Sequence, residues 1–88
     1  MLQSWEDADG LLNYLSTVPT DGGWAKIQWN SSKVAIIDSL AQTGYTPKVR
    51  QVSPTRVVIS FESAGRSTTI EAWWEEDEPK IDVDNGDD

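Results

Sequence analysis

A chain of 88 residues with no cysteine must hold its fold together by packing alone. That length leaves room for one domain, and a domain this small buries only a limited share of its surface. Without disulfides to staple it, the core has to be efficient. Five tryptophans supply the material, since each can bury roughly 200 Å² when packed. Trp5, Trp29 and Trp74 lie on the predicted apolar faces and are assigned to the core. Trp24 and Trp73 lie on the opposite faces, where an exposed tryptophan marks an interface.

The hydrophobic spacing divides the chain into six elements. Trp5, Ala8, Leu12 and Leu15 recur at helical intervals, and Ser4 with Asp7 resembles a capping box, so the spacing predicts a helix over residues 4–15. Thr20-Asp21-Gly22-Gly23 is a break. Residues 24–29 alternate, with Ala25, Ile27 and Trp29 on one side, which predicts a strand. Asn30-Ser31-Ser32 then reads as an N-cap cluster before a second helix over 33–43, with Val34, Ile37, Leu40 and Ala41 as its stripe and Gly44 as its C-cap. Three strands follow over 48–52, 56–62 and 67–74, separated by turns at Ser53-Pro54 and Ser63–Arg66.

The expected fold class is therefore α+β, in the order α-β-α-β-β-β. Its architecture is a two-layer sandwich in which an antiparallel sheet of three to four strands carries two helices. The expected domain covers residues 1–76, and residues 77–88 form an acidic, flexible tail.

Charge is segregated along this chain. The net charge is −8, yet residues 1–9 carry −3, residues 10–70 carry +3 and residues 71–88 carry −8. Glu6 and Asp7 have an ordinary structural role in the first turn of a helix. Glu75-Glu76-Asp77-Glu78 has no such role, because four consecutive carboxylates repel one another. They serve either as gatekeepers beside Trp73-Trp74 or as contacts to a partner. Lys48, Arg50 and Arg56, with Arg66 nearby, form the candidate basic face.

With no histidine and no cysteine, the chain lacks imidazole acid–base catalysis, thiol nucleophiles and most zinc or haem ligation. Gly22-Gly23 is not followed by the Lys-Ser/Thr of a phosphate-binding loop. The run Asp82–Asp87 resembles the opening of an EF-hand loop, but Asn85 and Gly86 each come one place early and no glutamate follows. The expectation is a non-enzymatic chain without metal or cofactor. No run of eighteen apolar residues and no leader pattern is present, so the chain is expected to reside in the cytoplasm and not in a membrane.

These features favour a small inhibitor that binds a protein with a basic surface, such as a nuclease or a nucleic-acid-binding complex. Carboxylates stand in for phosphates in that reading. Its expected contacts are Glu75, Glu76, Asp77, Glu78, Trp73 and Trp24. In composition alone, the chain looks like small phage-encoded inhibitors of CRISPR or restriction systems. Two alternatives remain open. One is a nucleic-acid-binding domain using Lys48, Arg50, Arg56 and Arg66, with the acidic tail as its regulator. The other is a small structural or assembly protein, a homodimer included.

Overall fold

The computed structural model describes residues 2–86 and contains eight strands. They are β1 (Leu2–Glu6), β2 (Leu12–Thr20), β3 (Gly23–Trp29), β4 (Val34–Ala41), β5 (Thr46–Ser53), β6 (Arg56–Glu62), β7 (Ser67–Glu75) and β8 (Glu78–Asp84). Each strand pairs antiparallel with the next in two four-stranded sheets, β1-β2-β3-β4 and β5-β6-β7-β8. The product is an up-and-down β-sandwich, elongated at 44 × 19 × 19 Å.

This overturns the α+β expectation. No helix occurs among the described residues, and hence none long and apolar enough to cross a membrane. The helix expected over 4–15 is instead β1, a loop and β2. Gly10 adopts φ +82°, a left-handed conformation that suits a loop and interrupts a helix. The capping-box resemblance fails because the Asp7 carboxylate receives the N–H groups of Asp9 and Leu11, so it folds the loop back on itself. Trp5, assigned to the core, lies on an exposed edge strand.

The second expected helix is β4, and its apolar stripe has a specific cause. Ile27 pairs with Ile36, whereas the preceding Lys26 pairs with Asp38, so Ile37 is an extra residue in a β-bulge. The bulge shifts the phase of alternation. Val34 faces the core and Leu40 faces solvent, although both belong to one stripe at helical spacing. Asn30 caps a hairpin loop and not a helix: its Oδ1 accepts the N–H groups of Ser32 and Lys33 at 2.8 Å. Gly44 lies in the turn between β4 and β5.

The alternation expected in residues 24–29, 56–62 and 67–74 is present. Ala25, Ile27 and Trp29 of β3 point inward, as do Val57, Ile59 and Phe61 of β6 and Ile70 and Ala72 of β7. Val34 completes the buried cluster, and Tyr14, Val18, Ile36, Tyr45 and Trp74 pack around it. The two sheets are also joined by polar links. Trp29 Nε1 donates to Lys80 O (3.2 Å), Thr20 and Thr68 share a hydroxyl bond (2.9 Å), and Gln51 Nε2 donates to Val34 O (2.8 Å).

The segment beyond residue 76 is built into this sandwich. Glu75 pairs with Glu78 across a two-residue turn, and Pro79, Ile81 and Val83 pair with Trp74, Ala72 and Ile70. The boundary drawn at residue 76 falls within that turn. Asp87 and Asp88 of the expected tail lie outside the described residues.

Phe61 is fully buried between the sheets, against Gly22 and Gly23 of the β2–β3 turn. Phe61→Ala is expected to lower unfolding free energy by about 3–5 kcal/mol, measured as a fall in urea midpoint at unchanged slope.

Candidate functional site

In an up-and-down meander, alternate hairpins share an end of the molecule. The β1–β2, β3–β4, β5–β6 and β7–β8 turns are therefore neighbours. A shallow cleft of about 190 Å³ lined by Gly10, Leu11, Leu12, Ser31, Trp74 and Asp77 joins three of them. Tyr14 and Trp74 pack beneath it with ring centroids 6.0 Å apart. The two acidic stretches, residues 6–9 and 75–78, lie at this same end, where Gly10 and Asp77 line one cleft, although about seventy positions separate them in sequence.

The first stretch is held rigidly. Asp7 accepts hydrogen bonds from Asp9 N (2.9 Å), Leu11 N (3.1 Å) and Asn13 Nδ2 (2.9 Å). The Asn13 amide, then the Leu11 N–H, hold the Asp7 carboxyl below its ordinary value, against a smaller opposing effect of desolvation. Asn13 is itself buried, and its Oδ1 accepts from Gln28 Nε2 (3.3 Å) and Asn30 Nδ2 (3.0 Å). One amide thus ties the β1–β2 loop to the β3–β4 loop.

The second stretch is held in an unfavourable backbone. Glu76 (φ 57°) and Asp77 (φ 61°) both occupy the left-handed region. A two-residue hairpin turn with both central residues at positive φ normally takes Asn-Gly. Placing side chains there costs on the order of 1 kcal/mol per residue. Around the turn, Trp73 Nε1 donates to Glu75 Oε1 (3.2 Å) and Lys80 Nζ donates to Glu78 (2.7 Å). The Glu78 hydrogen bond raises the Lys80 ammonium above its ordinary value. Desolvation opposes that rise, and the charges of Glu78, Glu76 and Glu75 add to it.

Five of the six residues expected at a partner contact are together here: Trp73, Glu75, Glu76, Asp77 and Glu78. Trp24 is not with them. It lies on the other sheet, beside Pro19 and Leu40 and next to Gly23 at the far end of β3. Of the candidate cations, Lys48, Arg50 and Arg56 share the outer face of the second sheet. Lys48 pairs with Glu62 (3.0 Å), and Arg56 pairs with Glu71 while its guanidinium lies 4.8 Å from the Trp73 ring centroid. Arg66 is at the opposite end, bound to Asp21 (2.7 Å) and to the Asn85 carbonyl.

Sequence reasoning missed Asn13 as an organising residue and placed Asp7 in a helix. The signal was the pattern Asp7-x-Asp9-Gly10, which is turn chemistry. No cluster of three or more metal-ligating side chains occurs among the described residues. What this end can do is present a fixed array of carboxylates to a cationic surface. Comparisons with protein-family models, curated proteins and solved structures returned no match.

Two outcomes are expected of this geometry. Asp77→Gly, which removes a side chain from the left-handed region, should raise stability by about 1 kcal/mol, read from chemical denaturation. Because the folded state lowers the Asp7 pKa, its stabilising contribution is present above the ordinary carboxylate pKa and is lost as pH falls through the depressed value. Stability curves of the wild type and Asp7→Asn should therefore lie furthest apart near neutrality and converge on acidification.

Proposed function

We propose that the protein is a non-enzymatic binding protein whose acidic end occupies a cationic, nucleic-acid-binding surface on a partner protein and so excludes the nucleic acid. The observation that carries this reading is the β7–β8 turn. Glu76 and Asp77 sit in the left-handed backbone region between Glu75 and Glu78, at the same end of the molecule as the loop that carries Asp7 and Asp9. A sequence selected for stability alone would place Asn-Gly there. Acids placed there at a backbone cost support a role for their charge.

The mechanism follows from electrostatics. Clustered carboxylates on hydrogen-bonded loops lose little entropy when they dock. Their field steers encounter with a basic surface, and salt screens it. Trp73, half-buried beside Glu75, supplies an aromatic contact at the rim of the array. The absence of histidine and cysteine from the whole chain agrees with binding rather than catalysis.

The reading in which the chain itself holds nucleic acid has weaker support. Three of its four cations already pair with Glu62, Glu71 and Asp21, and Arg66 is remote from the rest.

The test is competition. Immobilised protein should capture a basic nucleic-acid-binding protein that added DNA displaces and that about 0.5 M salt releases. Neutralising the turn with Glu75→Gln, Glu76→Gln, Asp77→Asn and Glu78→Gln should weaken capture by at least about tenfold, with circular dichroism unchanged. A captured partner that DNA fails to displace would overturn the proposal.

A further inference from the structure

We infer that the protein assembles head to tail through its second sheet, with β5 of one copy adding as a fifth strand to β8 of the next. Both strands are edges of that sheet. An unpaired edge is a template for another strand, and proteins ordinarily blunt it with charge. Here the two edges carry opposite charge. On the outer face β5 presents Arg50 and Lys48, the latter bridged to Glu62, whereas β8 presents Asp82 and Asp84 beyond the Glu78–Lys80 ion pair. Two β5 edges repel one another, as do two β8 edges. Only the β5–β8 combination is attractive.

The registers within the sheet show how the copies would meet. Lys48, Ser60, Thr69 and Asp84 lie in one row across the four strands, and Arg50, Val58, Glu71 and Asp82 lie in the next. Continuing the sheet by four strand spacings, about 19 Å, with the rotation that its twist adds, places β5 of a second copy antiparallel to β8. Lys48 then stands opposite Asp84, and Arg50 opposite Asp82. The inner face matches as well, since Val49, Ile59, Ile70 and Val83 share a row. Val49 is 55% exposed and Val83 39% exposed, and the association covers both.

Backbone polarity agrees. The Trp74 N–H donates toward Thr55, on the β6 side. By the alternation of an antiparallel ladder, Pro79, Ile81 and Val83 then turn their main-chain groups to the free edge. The same alternation carried across four strands turns Val49 and Gln51 of β5 outward in the matching rows. Pro47 and Pro79 confine the new ladder to its middle.

The edge of β8 also borders an uncovered apolar groove. Leu2, Val18 and Trp29 of the first sheet face Pro79, Ile81 and Val83 across about 250 Å³. Leu2 is 53% exposed and Ile81 42% exposed. An arriving β5 brings Val49 to the mouth of this groove. The contact is heterologous, so it closes into a ring or continues as a filament.

Light scattering and sedimentation of the full chain test this. At low ionic strength the mass should rise with concentration beyond one copy, and about 0.5 M salt should return it to a monomer. The double variants Lys48→Asp with Arg50→Asp, and Asp82→Lys with Asp84→Lys, should each be monomeric alone. Mixed one to one, they should associate again, because each then meets an edge of opposite charge. Val83→Pro removes an outward N–H that the monomer does not use, so it should stay folded by circular dichroism and fail to associate. A wild type that remains monomeric at about 1 mM in low salt overturns the inference, as does association that persists in either double variant alone.

Discussion

The fold depends on one buried contact, where the Ala25–Ile27–Trp29 face of β3 meets the Val57–Ile59–Phe61 face of β6 and the Ile70–Ala72 face of β7. Each sheet has a largely apolar inner side, with the paired hydroxyls of Thr20 and Thr68 as a polar link, and neither can expose that side to water. Burying these side chains against one another is the main favourable term available to a chain without disulfides. Val34, the adjacent Trp29 and the link from Trp29 Nε1 to the Lys80 carbonyl extend the contact toward β4 and β8. The edge strands β1, β5 and β8 contribute little to it and stay exposed.

That division of labour has a consequence for function. The interior strands need apolar residues, whereas turns and edges are free to carry charge. The acids are concentrated at one end of the sandwich and along β8, and Lys48 and Arg50 lie along β5. At the acidic end the arrangement is held in place by two unlike devices. Asp7 is fixed by three hydrogen-bond donors, and the Glu76-Asp77 turn is fixed by the hairpin that closes it, against its backbone preference. Any opening of the β7–β8 hairpin would relieve that preference, so the turn is stable only because the ladder below it is.

Half of the strands were legible in the sequence, and the reasons for the misses are physical. Residues 24–29, 56–62 and 67–74 alternate cleanly because each has one buried and one more exposed face, whereas 48–52 is an exposed edge strand marked by the turns that flank it. Residues 33–43 also alternate, but the bulge at Ile37 slips the phase in mid-strand, so the inward positions fall at 34, 36, 39 and 41 with one spacing of three. Val34, Ile37, Leu40 and Ala41 then imitate a helical stripe. Residues 4–15 imitate another because a loop with its own carboxylate cap joins the end of β1 to the start of β2. Residues 78–84 do alternate, Pro79, Ile81 and Val83 against Lys80, Asp82 and Asp84, yet the density of acids made the segment resemble solvated chain. The acidic run at 75–78 was visible in the sequence as four consecutive carboxylates. Their company with Glu6, Asp7 and Asp9 was not.

By itself, the sequence determined that one small core would have to form by packing, that four segments would be strands, that imidazole and thiol chemistry was absent, and that charge was divided between ends and centre. All of these follow from composition or from nearest-neighbour alternation, which are local properties. Only the tertiary structure decided that residues 2–6 and 78–84 are strands, that acids about seventy residues apart lie at one end of the molecule, and that the two edges of a sheet differ in charge. Those outcomes depend on which strand lies beside which, and pairing between distant segments is settled by burial across the whole chain and not by any window of it.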